Sequence, residues 1–324
     1  MVDRAGLSKS IASSEASDST ASAGGVSLAA LRTMHQAFLQ AVDAAAVPLA
    51  GVDFTSAPRR AKPITVALGT LDLSGRDARL TLTALLALPD FEQFEHWLGE
   101  PGARLTGFDL PFGLPREFVL SQGWPTDWQA CIAHYASLSR EHLRERFRHF
   151  CAGRPVGGKF AHRQTDGPAG ASPSMKWVNP PVAWMLHAGV PRLIAADLSL
   201  PGLRIGSPVR LGVEAYPGLL ARQVSTASYK SDTRARQTAA RHSVRQALLG
   251  ALLGGAIGPV GGLVCADLHQ QQMLDDGTGD SLDAVLCLAL NVQWGMGGLF
   301  NAGIAGFFAV GAYASAIATT AVSA

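Results

Sequence analysis

Three apolar stretches of this chain run into a carboxylate: VPLAGVDF carries Asp53 near its end, ARLTGFD ends in Asp109 and VRLGVE ends in Glu214. A further acidic segment, DDGTGDSLDAVLC, sets Asp280 and Asp283 at i and i+3, a spacing that puts both on one face of a helix. In an open α/β sheet ligands bind at strand ends, so carboxylates in these positions can converge on one point. Converged carboxylates repel and raise one another's pKa, and a hard divalent cation with oxygen ligands removes that cost. The pattern therefore predicts a site for Mg2+ or Mn2+. Each residue also has a plainer use, since Asp at a strand end serves turns and Asp280 suits a helix N-cap. Convergence is favoured by the recurrence of such positions in one order along the chain, two of them followed by the stiff, Pro/Gly-bounded loops FDLPFGLP and VEAYPG.

The elements that must position these residues follow from periodicity. Leu28, Leu31, Met34, Phe38, Leu39 and Val42 recur at helical spacing within 26–46, which predicts an amphipathic helix packed on a sheet. Apolar runs at 47–54 and 64–71 and an alternation at 78–82 predict three strands, with Pro58, Pro63 and Gly75 marking the loops. Loops so short cannot hold a parallel crossover, so these strands form an antiparallel meander. A helix at 90–98 and a strand at 103–109 follow. A long stretch, 110–207, then separates that strand from the next, at 209–214. A helix at 234–253, basic on one side, and a last helix opened by Asp280 complete the order.

Composition is that of a globular protein: 324 residues, 48% hydrophobic and 16% charged, with a formal net charge of +2. That length allows one large domain or two smaller ones, and it excludes a small disulfide-stapled scaffold. The near-neutral balance argues against a strongly basic nucleic-acid coat protein. Cys131, Cys151, Cys265 and Cys287 form no C-x-x-C pair, which predicts reduced, buried thiols and a cytoplasmic protein. Residues 1–25 are rich in Ser and Ala and lack the apolar run of a secretory signal, so they read as a disordered leader. From Ala284 to Ala324 there is no charged residue at all, which sets 291–324 apart as an apolar tail.

The segments GVDFTSAP, GFDLPFGLP, KFAHRQTDGPAG, VEAYPG, YKSD and DDGTGDSLDAVLC together resemble the domain-of-unknown-function family 429, over about residues 48–290. Members of that family are described as predicted nucleases. The resemblance implies an α/β, RNase H-like fold, a mixed sheet with flanking helices and here a large insert, about 110–207, after the fourth strand. In that superfamily, which includes the RuvC-type resolvases, acidic residues on the first strand, the fourth strand and the last helix bind two divalent ions. The carry-over assigns Asp53, Asp109 and Asp283 to those roles, with Asp280 as a partner of Asp283 and Glu214 as a fourth ligand.

Two such ions would support in-line phosphodiester hydrolysis of a nucleic acid or related substrate. Substrate phosphates would then be met by Lys159, His162, Arg163 and Lys176 in the insert and by Lys230 and Arg234 after the fifth strand. Trp124, Trp128, Trp177 and Trp184 could stack bases or form core, and the alternating charges of Arg140 to His149 read as an exposed helical face. A second class is a non-catalytic nucleic-acid or nucleotide-binding module on the same fold. A third rests on the tail alone: NVQWGMGGLFNAGIAGFFAVGAYASAIA, 291–318, resembles an N-terminal membrane segment of branched-chain amino-acid ABC transporter permeases. That match implies membrane contact through 291–324 and a gene junction near Leu288.

Overall fold

The computed structural model describes residues 26–74, 79–231, 236–256, 263–265 and 279–290. The leader 1–25, the tail 291–324 and Arg234 lie outside the described residues. The chain is an α/β protein built on one mixed sheet. Its strands are β1 (Val47–Asp53), β2 (Ile64–Asp72), β3 (Arg79–Leu88), β4 (Arg104–Asp109), β5 (Leu198–Ser199), β6 (Ser207–Glu214) and β7 (Leu263–Cys265), in the order β5-β6-β4-β1-β2-β3-β7. β2 runs antiparallel to β1 and β3, whereas β4 pairs parallel with β1 and with β6, as the short first loops and the long later connections require.

Ten helices are described. The first, α1 (Leu28–Ala41), is capped by Ser27, whose hydroxyl accepts from the Ala30 N–H. α2 (Phe91–Gly99) is capped in the same way by Asp90 and buries Phe94, Trp97 and Leu98. The insert supplies α3 (Arg116–Ser121), α4 (Trp128–Ser137), α5 (Arg140–Ala152), α6 (Asp166–Ala169) and α7 (Val182–Ala195). Beyond β6 come α8 (Pro217–Val224), which starts on the proline that suits a first helical turn, then α9 (Ala239–Leu253) and α10 (Asp280–Leu290). Among the described residues no helix is long and apolar enough to cross a membrane.

Alternation along the strands sends side chains to two separate cores. Ala50, Val52 and Phe108 join α2 and the insert helices on one face. Leu49, Leu105 and Leu211 join α1, α8, α9 and α10 on the other. The insert therefore shares the sheet's core rather than forming a detached unit. Its tryptophans belong mainly to that packing: Trp124 meets Phe118 edge-on at 5.3 Å, Trp177 stacks on Phe147 at 5.7 Å, and the Trp128 indole donates to the Phe112 carbonyl at 2.7 Å.

Several boundaries differ from those read in the sequence. The third strand extends to Leu88 because nine of its ten residues pair along β2, with a bulge at Thr83, well past the alternating segment at 78–82. The helix expected at 234–253 is described from Ala239, where the Thr238 hydroxyl accepts from Arg241 N–H and fixes the start. β5, β7 and α8 carried no distinct periodic signal, being two, three and eight residues long. Cys131, Cys151 and Cys287 are free and buried.

Candidate metal centre

β1 and β4 lie side by side in register, with Asp53 paired to Asp109. Residues in register on parallel strands project to the same face, so both carboxylates leave the sheet together, on the face covered by α10. Gly51 makes that cover possible. A Cβ at Gly51 would stand 2.0 Å from the Ala284 carbonyl oxygen and 2.2 Å from the Leu288 nitrogen, so α10 rests directly on the backbone of β1. This contact brings Asp283, in the first turn of α10, over the strand ends. Asp53, Asp109 and Asp283 each offer a carboxylate oxygen, and these three oxygens lie within 4.8 Å of one another.

The cluster is buried except at Asp109, which is half-buried. Asp53 is 7% exposed, Asp283 3% and Asp280 8%. Burial pushes the Asp53 pKa up to about 7, with Asp283 and Asp280 adding to the rise and Lys230 opposing it. Asp109 is raised well above the usual carboxylate range by burial and then by Asp53 and Asp283. Burial also raises Asp283, against Lys230 and a hydrogen bond from Tyr229. Such groups hold protons or cations far more readily than exposed carboxylates do.

Lys230, expected to meet substrate phosphate, is instead inside this cluster. Its Nζ lies 2.8 Å from Asp53 Oδ2, 2.6 Å from Asp283 Oδ2 and 3.1 Å from Asp280 Oδ1. Burial alone would lower its pKa, but Asp283, Asp53 and Asp280 outweigh burial and raise it well above the ordinary value. Tyr229 donates its hydroxyl to Asp283 Oδ1, and Arg245 donates to the Tyr229 carbonyl at 3.1 Å. So many buried negative charges need a countercharge, and the loop after α8 delivers one.

Glu214 does not join the three carboxylates. It pairs in register with Phe108, one residue before Asp109, and so projects to the opposite face of the sheet. There it receives Arg163 Nη1 at 2.7 Å and Nη2 at 2.6 Å, together with the Phe112 N–H at 3.0 Å. The same guanidinium holds Asp166, 1% exposed, through Nε at 2.9 Å and Nη2 at 2.7 Å. Arg163, expected on substrate, is thus committed to two carboxylates and ties the insert to the end of β6. Lys159 and His162 are exposed on the insert and Lys176 is half-buried.

Sequence reasoning missed two features here. One is Tyr229, a neighbour of Lys230 in the YKSD segment. The other is Arg140 on α5, whose guanidinium donates to the Ser56 carbonyl at 3.0 Å and so reaches the loop that follows Asp53. The exposed Arg59 and Arg60 lie further along the same loop.

A cation fits the donor set. Opposite oxygens of an octahedral Mg2+ site stand about 4 Å apart, from metal–oxygen distances of about 2.1 Å. Adjacent oxygens of the same octahedron stand about 3 Å apart, and the three carboxylate oxygens, all within 4.8 Å of one another, lie near the spacing that one cation spans. Comparisons of the chain with family models, with curated proteins and with solved structures find no match.

Proposed function

We propose that this chain is a divalent-metal-dependent phosphodiester hydrolase, a nuclease of RNase H-like fold, as its resemblance to the domain-of-unknown-function family 429 implies. The observation that carries the reading is the meeting of Asp53, Asp109 and Asp283 oxygens within 4.8 Å at adjacent strand ends beneath one helix. The strand order through β3-β2-β1-β4-β6, with only β2 reversed, supports the fold assignment. Bound Mg2+ or Mn2+, one or two ions, would supply an activated water and stabilise the leaving oxygen. The chain's own part is to hold the carboxylates in place, at pKa values from which a cation can displace the proton, and to cover them with α10. Arg59, Arg60 and Arg140 lie on or reach the loop after Asp53, and with Lys159 and Lys176 they offer cations for a nucleic-acid backbone, beside which the His162 ring can hydrogen-bond.

Purified chain tested on single- and double-stranded DNA and on RNA is expected to cleave at least one of them with Mn2+ or Mg2+ and none with EDTA. Asp109→Asn is expected to lose that cleavage by at least a hundredfold while staying folded. Cleavage that survives EDTA, or an Asp109→Asn variant of unchanged rate, refutes the reading. Lys230 favours a second reading, a binding module without catalysis, because an ammonium already neutralises part of the cluster. Retention of nucleic acid in EDTA with no cleavage under any metal would select it.

A further inference from the structure

The acidic cluster is not symmetric about its centre. Lys230 Nζ is shared by Asp53, Asp283 and Asp280, all within 3.1 Å, and the ion pairs described for it do not include Asp109. A position bounded by three carboxylate oxygens at 2.6–3.1 Å is one a cation fills, and here a side chain of the protein fills it. The lysine is built in rather than swung across from solvent. Its stem passes Gly279, where a Cβ would stand 3.6 Å from Lys230 Cβ, and its neighbour Tyr229 is anchored at both ends, by Asp283 and by Arg245. Arg245 itself is buried.

We propose that Lys230 stands in for one of two cations, so that the chain binds a single divalent ion, held by Asp109 with Asp53 and Asp283, while the ammonium keeps the neighbouring position between Asp53, Asp283 and Asp280. This rests on the reading of Asp53, Asp109 and Asp283 as a metal centre. It follows from space and charge. An ammonium and a divalent ion cannot share one set of oxygens at these distances. Three carboxylates on the ammonium, with Asp109 beside them, also leave enough negative charge to hold one further ion firmly. Lys230 is then a positioning group that keeps Asp53 and Asp283 turned toward the ion.

Equilibrium dialysis of the full chain against Mn2+ at pH 8, with free ion counted by electron paramagnetic resonance, tests the inference without requiring catalysis. Wild type is expected to bind one tight equivalent and Lys230→Met two. Asp280→Asn, which faces the ammonium rather than the ion, is expected to hold the single ion within about threefold of wild type, whereas Asp109→Asn loses it. Two equivalents in wild type would show that metal displaces the lysine and would overturn the inference while leaving the metal centre standing. One equivalent in a folded Lys230→Met would also overturn it. Should Lys230→Met fail to fold, Asp280→Asn decides, since a loss of affinity beyond about tenfold would place Asp280 on the ion. No Mn2+ bound by wild type would overturn both the inference and the metal centre.

Discussion

Replacing Asp53 by Asn tests the electrostatics of the site without substrate. The Asp53 pKa is raised to about 7 from the ordinary value of 3.8 for an aspartate. A carboxyl raised in the folded chain binds its proton more tightly there than in the unfolded chain. Its contribution to stability is therefore complete below about pH 4 and is lost as pH rises through about 7. At about 1.4 kcal/mol per pKa unit the full loss is about 4 kcal/mol, of which about 3 kcal/mol falls between pH 4.5 and pH 8. Asn has the same shape and no titration, so Asp53→Asn should unfold at a higher temperature than wild type in EDTA at pH 8. The gap between the two should grow from pH 4.5 to pH 8. At about 2–4 °C per kcal/mol the growth is about 6–12 °C, readable by circular dichroism melts in matched buffers. A gap that stays flat, or closes as pH rises, would show that Asp53 is not held against ionisation and would refute the description of the cluster.

Other outcomes follow from the same geometry. Mn2+ should raise the melting temperature of wild type at pH 8 and leave that of Asp109→Asn unmoved, since ligand binding to the folded form alone stabilises it; equal shifts would place the ion elsewhere. Gly51→Ala puts a methyl 2.0 Å from the Ala284 carbonyl and should displace α10, costing about 3 kcal/mol or more and abolishing Mn2+ binding, and a variant that melts and binds like wild type would contradict that contact. Arg163→Ala strands Asp166 and Glu214 and should cost about 3–5 kcal/mol in chemical denaturation, with Arg163→Lys recovering little because one ammonium cannot reproduce the fork. Tyr135→Phe removes the hydroxyl that donates to the Ala183 carbonyl at 2.8 Å and should cost about 1–2 kcal/mol, a value that urea melts resolve.

The ends of β1, β4 and β6 were legible because hydrophobic runs stop there in a carboxylate, and Asp53 and Asp109 stop their runs at matching positions. Helix starts were legible where a cap residue preceded an apolar face, as with Ser27 and Asp90. Register was not. Whether Glu214 or the residue after it lies opposite Asp109 decides which face of the sheet it serves, and nothing local to VRLGVE specifies a one-residue offset. Lys230 was misread for a related reason: a lysine in a loop near carboxylates reads as a phosphate contact until the path of the loop is known. Arg163 was visible as a cation, with Asp166 three residues on, but Glu214 meets it only because the insert folds back over the end of β6.

The seating of α10 on Gly51 has a consequence for synthesis. The first strand leaves the ribosome early, whereas Asp283 and the helix that carries it come near the end of the described chain. At roughly 5–20 residues per second, between about ten and fifty seconds pass between Asp53 and Asp283. During that interval the nascent chain holds Asp53 and Asp109 without their third partner, and the bare backbone groove at Gly51 stays open. No complete acidic centre exists on a polypeptide that stops before Asp283. A truncated product ending before Asp280 would lack the cover of α10 over β1 and the third carboxylate of the cluster, while α1, α8 and α9 could still pack on the rest of that face.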